Sequence, residues 1–163
     1  CHEGQTTLLM TALLNQYDTN KQIHVYDSFE GLPEISNEDK SKTDLQFKKG
    51  DCVTNIDNLI TNFNKYNLPL PIINRGWFKD IPDEKYPSQI SFAHFDGDLY
   101  SSIMDSFNKV YHKMSKGGII IIDDYNWDAL PGVKKATDDF LRNKPEFGSV
   151  VDTKIGKGIM KKL

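Results

Sequence analysis

Two short apolar runs constrain this chain more than anything else in it: Ile90-Ser-Phe-Ala-His-Phe95 and Gly117-Gly-Ile-Ile-Ile-Ile122. Each is continuous, rich in β-branched or aromatic residues and bounded by turn-forming residues, the pattern of a strand covered on both faces of a parallel sheet. Both end in acids, with Asp96 and Asp98 after the first run and Asp123 and Asp124 after the second. Ligands of open α/β sheets bind beyond the carboxyl ends of the strands, so neighbouring strands with these endings gather their carboxylates in one crevice. Such crowding is unfavourable unless a cation or protons relieve it.

The remaining sequence alternates in the same sense. Residues 4–14 read as a helix launched from Gly4, with Leu8, Leu9, Ala12 and Leu13 along one face, and Ile23–Phe29 as a strand carrying Asp27. Val53, Ile56, Leu59, Ile60 and Phe63 mark a helix over 51–66, and a strand begins at Leu70. Ile103, Phe107, Val110 and Met114 give an amphipathic helix ending at Gly117-Gly118, and Pro131 opens another with Val133, Ala136 and Phe140. Residues 149–153 and 158–162 read as a closing antiparallel pair. The expected fold is α/β: one doubly wound, mostly parallel sheet with helices on both faces, in a single domain over 1–163. Residues 32–50, with Pro33 and many charges, read as a mobile lid.

Composition narrows the partners. A net charge of -3 with scattered lysines offers no basic field for nucleic acid. No apolar stretch approaches the roughly 20 residues that span a bilayer, and the first residues lack a secretory pattern, so a cytoplasmic protein with no membrane partner is expected. Cys1 and Cys52 provide neither a disulfide framework nor metal spacing.

Hard oxygen donors without a Cys or His cluster select Mg²⁺, Mn²⁺ or Ca²⁺, with Asp96, Asp123 and Asp124 as the expected ligands. Asp98 is then placed to act as general base, and His94, on the same strand face as Asp96, is a second candidate. At the start of the chain, Gly4 at a strand-to-helix turn and Asp27 some way on give the layout of a nucleoside-bearing cofactor site.

Tyr26-Asp-Ser-Phe-Glu-Gly-Leu-Pro33, Gly76-Trp-Phe-Lys-Asp-Ile-Pro82, Phe95-Asp-Gly-Asp-Leu-Tyr-Ser-Ser102 and Gly117-Gly-Ile-Ile-Ile-Ile-Asp-Asp-Tyr125, followed by Pro131-Gly-Val-Lys-Lys-Ala-Thr-Asp-Asp-Phe140, resemble in this order the macrocin O-methyltransferase (TylF-like) family. The resemblance implies a class I, Rossmann-like methyltransferase fold, S-adenosylmethionine and Mg²⁺ as cofactors, and a hydroxyl of a small-molecule sugar or glycoside as acceptor. It implies that Asp27 binds the cofactor ribose with Ser28 beside it, that Gly4 faces the methionine end, and that Gly76 and Trp77 pass close to the adenine. It also implies metal binding by Asp96, Asp123 and Asp124 and proton abstraction by Asp98. The family's first glycine motif follows a central strand, whereas Cys1 begins where that strand should be ending, so an N-terminally clipped chain lacking the first central strand is expected. His2-Glu3-Gly4 stands where the family has Trp-Arg-Gly, and Ile103 where Thr often follows, departures that bear on substrate identity. Assembly into a homo-oligomer is compatible with the sequence but not specified by it.

Two other chemistries use similar residues. A haloacid dehalogenase-like phosphohydrolase would use Asp96 as nucleophile, but that motif normally ends the first strand of its domain, and Tyr100 stands where Thr or Val is expected. A glycosyltransferase would use Asp96-Gly-Asp98 to hold Mn²⁺ and a sugar nucleotide.

Overall fold

Strands and helices form where buried apolar surface requires them in the computed structural model, which describes residues 1–17 and 20–163. The chain divides into two units, Cys1–Gly31 with Gly50–Lys85 and Leu32–Lys49 with Tyr86–Leu163.

The first unit contains α1 (Gln5–Gln16), β1 (His24–Asp27), α2 (Ile56–Lys65) and β2 (Ile72–Arg75). β1 and β2 pair in parallel from His24↔Ile72 to Asp27↔Arg75. Val25, Leu59 and Phe63 form the core, with Leu8, Ile23 and Ile73 packed against it. α1 begins at Gly4 (φ 81°), where an added Cβ would come within 3.1 Å of the Leu59 side chain. The left-handed backbone favours glycine there, and a side chain would also press on Leu59.

The inward face of α1 differs from the expected leucine stripe. Thr7 and Thr11 are buried, whereas Leu9 and Leu13 are 63% and 46% exposed. Thr11 Oγ1 donates to the Thr7 carbonyl at 2.8 Å, so that hydroxyl is satisfied inside the helix and tolerates burial. α2 also starts later than the apolar periodicity indicates. Asn55 caps it by accepting from the Asp57 N–H at 2.9 Å, while Cys52 has φ 60° and Val53 is 62% exposed.

The second unit holds β3 (Ile90–Phe95), α3 (Tyr100–Val110), β4 (Met114–Ile122), α4 (Pro131–Leu141), β5 (Val151–Asp152) and β6 (Gly158–Lys161). Its sheet has the order β3-β4-β6-β5, with β3 and β4 parallel and β6 antiparallel to both β4 and β5. Among the described residues the strands therefore hydrogen-bond as a pair and a foursome, rather than as the one continuous sheet expected. Met114 lies in β4, not in the preceding helix, and the glycine pair sits inside that strand. A register shift between Ile90 and Phe92 accompanies it, and a Cβ at Gly118 would come within 3.1 Å of the Ser91 carbonyl oxygen. The glycines thus permit an irregularity in the ladder where their spacing suggested a helix end.

Behind this sheet Phe107 is fully buried, edge-on to Phe95 at 4.9 Å and stacked on Phe140 at 4.6 Å. Phe107→Ala should lower the unfolding free energy by about 3–5 kcal/mol in chemical denaturation, because a cavity remains where rings now interlock.

Residues 32–49 belong to this unit and are anchored in it through Asp39, which is buried. Its Oδ1 accepts the Tyr100 N–H at 2.6 Å, placing a carboxylate at the start of α3, and its Oδ2 accepts the Ser36 N–H at 3.1 Å. A Cβ at Gly132 would overlap Asp39 Oδ1 and come within 2.9 Å of the Tyr100 nitrogen. Among the described residues no helix is long and apolar enough to cross a membrane.

Candidate active site

The acidic rim of the second unit is built by strand register. His94 pairs with Ile121 and Phe95 with Ile122, and the Asp123 N–H donates to the Phe95 carbonyl at 2.8 Å. Asp96 and Asp123 therefore leave the sheet side by side. Asp98 (φ 61°) and Asp124 (φ 53°) both adopt left-handed backbone, which Asp tolerates better than most residues and which concentrates at functional turns.

Asp96, Asp98 and Asp124 each offer a carboxylate oxygen within 4.8 Å of the others. Burial, followed by the charges of Asp96 and Asp124, pushes the Asp98 carboxyl up to about 7. Burial and the charges of Asp123 and Asp96 push Asp124 up to about 6. Close oxygen donors that repel one another and retain protons near neutrality fit a hard divalent cation. Asp96 and Asp124 are the expected ligands in this group, and Asp98 lies within reach of both.

Asp123 is directed elsewhere. Its Oδ2 lies 3.5 Å from His94 Nε2 and its Oδ1 is paired with Lys157 Nζ. Hydrogen bonding from His94, reinforced by the Lys157 ammonium, outweighs burial and holds Asp123 well below the usual carboxylate range. Asp98 thus lies in the close carboxylate group with Asp96 and Asp124, whereas Asp123, the third expected ligand, bridges His94 and a lysine. Sequence reading passed over Lys157 as a hairpin residue. It emerges only from the strand pairing, where antiparallel Ile122↔Gly158 sets the residue after one strand opposite the residue before the other.

In the first unit the expected cofactor residues converge at the carboxyl ends of β1 and β2. The Gly76 N–H donates to the Asp27 carbonyl at 2.9 Å, and Trp77 follows, half-buried. Gly76 has φ 147°, and a Cβ there would come within 3.1 Å of the Ile81 side chain. Asp27 accepts from the Cys1 amino group at 2.6 Å and the His2 N–H at 3.0 Å through Oδ2, and from the Phe29 N–H at 2.8 Å through Oδ1. A carboxylate has about four acceptor positions, so room for one more donor such as a ribose hydroxyl remains. These contacts also tie the turn carrying Gly4 to the end of β1. The Ser28 hydroxyl accepts from the Glu30 N–H at 3.0 Å and donates to the Gly31 carbonyl at 3.4 Å, so it shapes its own turn. A strand-end acid beside a glycine-initiated helix suits a nucleoside cofactor such as S-adenosylmethionine.

Known proteins resemble this chain along most of its length. Residues 2–152 match the Macrocin-O-methyltransferase (TylF) family. The chain is 32% identical over 133 residues to 8-demethyl-8-(2,3-dimethoxy-alpha-L-rhamnosyl)-tetracenomycin-C 4'-O-methyltransferase of Streptomyces olivaceus, covering 77% of this chain and 51% of that protein. It is 29% identical over 143 residues to demethyldecarbamoylnovobiocin O-methyltransferase of Streptomyces niveus, covering 84% and 54%. The chain thus spans about half the length of the curated relatives it matches. Among solved structures, the O-methyltransferase NovP superposes with a TM-score of 0.78 at 26% identity, over 99% of this chain and 68% of that one. Calicheamicin methyltransferase CalS11 shares the fold, with a TM-score of 0.75 at 16% identity over 98% and 68%. By the match across most of its length, the chain belongs to the macrocin O-methyltransferase (TylF) family.

Proposed function

We propose that the protein is an S-adenosylmethionine-dependent O-methyltransferase acting on a hydroxyl of a sugar or glycosylated metabolite, with Mg²⁺ as its divalent ion. The observation that carries this reading is the group formed by Asp96, Asp98 and Asp124, whose carboxylate oxygens lie within 4.8 Å of one another. Asp98, beside the two that would hold the ion, is placed to take a proton from an acceptor hydroxyl. Two relatives are named for related reactions, one on a rhamnosyl tetracenomycin and one as mycinamicin III 3''-O-methyltransferase of Micromonospora griseorubida. Family membership favours methyl transfer over the phosphohydrolase and glycosyltransferase chemistries that similar acids could serve.

The chain's own residues divide the work. In the first unit, Asp27 holds the cofactor ribose, while the glycines at positions 4 and 76 leave the backbone open to close approach. In the second, Asp98 takes the acceptor proton onto its carboxylate as the hydroxyl oxygen becomes nucleophilic. Asp96 and Asp124 hold the divalent ion. Asp123 is kept ionised and oriented by Lys157 and His94, so its charge does not compete for the acceptor proton. His94, committed to Asp123, serves as a positioning group. S-adenosylmethionine, when bound, supplies a sulfonium methyl whose S–C bond breaks as the acceptor oxygen forms the new C–O bond. A divalent ion, when bound, supplies positive charge that eases deprotonation of a hydroxyl it touches. A Rossmann-like class I fold and a cytoplasmic location are part of the same reading.

The deciding experiment incubates the protein with S-adenosylmethionine, Mg²⁺ and 4-nitrophenyl α-L-rhamnopyranoside, a simple glycoside of the sugar named for the tetracenomycin relative. A singly methylated product and S-adenosylhomocysteine should form together. Asp27→Ala should weaken S-adenosylhomocysteine binding in calorimetry by about tenfold or more, equivalent to about 1.4 kcal/mol. Unchanged affinity in that variant would remove Asp27 from the cofactor site.

A further inference from the structure

The turn after Asp124 carries a second feature that the methyl-transfer chemistry does not use. Trp127 is 42% exposed, although its backbone is fixed on both sides. Its N–H donates to the Asp124 carbonyl at 3.2 Å, and its own carbonyl accepts the Leu130 N–H at 2.9 Å. Phe47, from the segment anchored by Asp39, meets the indole edge-on at 6.1 Å and 74°. That segment is also joined to the residue after Trp127, because Ser41 Oγ donates to the Asp128 carbonyl at 3.1 Å. Within that segment, Ser41 and Thr43 share a hydroxyl contact at 2.8 Å, and Gln46 Nε2 donates to the Thr43 carbonyl at 2.7 Å.

Single exposed aromatics are ordinary on protein surfaces. This one is distinguished by its support and its place. A turn closed between Asp124 and Trp127 keeps their Cα atoms within about 7 Å of one another. The Trp127 backbone is therefore held next to that of Asp124, its half-exposed indole is braced by a second ring, and Ser41, Thr43 and Gln46 lie on the segment that carries that ring. A pyranose has an apolar C–H face and a rim of hydroxyls. The first suits a flat indole and the second suits Ser, Thr and Gln side chains, the usual mixture of aromatic surface and few polar groups in a small-molecule site.

We infer that Trp127, supported by Phe47, is the platform on which the acceptor's sugar ring lies, and that residues 41–47 with Trp127 select a glycoside over an unglycosylated alcohol. The inference rests on the glycoside-methylating function proposed above and names the residues that would recognise the acceptor.

It is tested on the whole chain by saturation-transfer NMR and calorimetry with methyl α-L-rhamnopyranoside, which report binding without turnover, alongside steady-state kinetics with the 4-nitrophenyl glycoside. Trp127→Ala should weaken glycoside binding and raise the acceptor KM by about tenfold or more, with kcat at saturation, S-adenosylhomocysteine affinity and melting temperature little changed. Trp127→Phe, which keeps an aromatic face, should recover most of the loss. Phe47→Ala should weaken binding severalfold, and this variant decides the matter if Trp127→Ala proves unstable. Absence of glycoside binding by the wild-type protein overturns the inference, as does an unchanged affinity and acceptor KM in Trp127→Ala. Glycoside binding that depends on Trp127 without any methyl transfer upholds the platform and defeats the proposed function. Methyl transfer to the glycoside that is indifferent to Trp127 does the reverse.

Discussion

Asp98→Asn should lower methyl transfer roughly a hundredfold or more while leaving S-adenosylhomocysteine affinity unchanged. The amide preserves shape but cannot accept the acceptor proton, so the loss should fall on kcat. The pH dependence supplies a signature that a structural defect would not reproduce. Burial and the charges of Asp96 and Asp124 raise the Asp98 carboxyl to about 7, so a base there is mostly protonated and idle at pH 5.5 and mostly ionised at pH 8. In metal-limited conditions the wild-type rate should climb through neutrality, and the residual rate of the variant should lose the part of that rise near pH 7 while keeping the earlier part contributed by Asp124. A variant retaining near wild-type kcat would remove Asp98 from proton transfer.

Chelation should have the other large effect: EDTA abolishes turnover, and added Mg²⁺ restores it. The same carboxylates make the ion's effect on stability depend on pH in a defined direction. In the unfolded chain an aspartate loses its proton near pH 4, whereas in the folded chain Asp124 and Asp98 retain theirs to about 6 and about 7. Between about pH 4 and 7 the folded state therefore holds more protons than the unfolded one. Stability of the metal-free protein contributed by these two groups must then fall as pH rises through that window. A divalent ion replaces the protons, so its stabilisation should be slight at pH 5 and substantial at pH 8, read as the shift in melting temperature with and without Mg²⁺. An equal shift at both pH values, or turnover indifferent to EDTA, would remove the metal from the reaction.

What could be read from the sequence was whatever depends on local pattern. Continuous apolar runs made β3 and β4 and the acids ending them legible, although β3 lies at the edge of its sheet with Ser91 and Phe92 exposed rather than covered on both faces. The buried stripes of α3 at Ile103, Phe107 and Val110 and of α4 at Val133 and Ala136 follow from a helical period. What escaped depends on partners distant in the chain. Thr7 and Thr11 displace Leu9 and Leu13 from the inner face of α1 because each helix face is chosen by what it packs against. Met114 to Gly118 joins a strand because its ladder partners are Ile90 and Lys162, on either side in sequence. Asp123 could be recognised as a site residue, but not as the partner of Lys157, until β6 was laid antiparallel on β4. Asp39 announces only its own turn, in a Ser-x-x-Asp box with Ser36; its place at the head of α3 had no local signature, since that helix begins far along the chain.

That last contact separates two kinds of evolutionary freedom. The stretch after Asp39 grows from a root fixed at the head of α3, in a space that only a residue without a side chain at position 132 leaves open. Residues there can be rewritten, lengthened or shortened while the helix that begins just past Asp98 keeps its place. A lineage could therefore retune which molecules are taken without redesigning how a proton is removed.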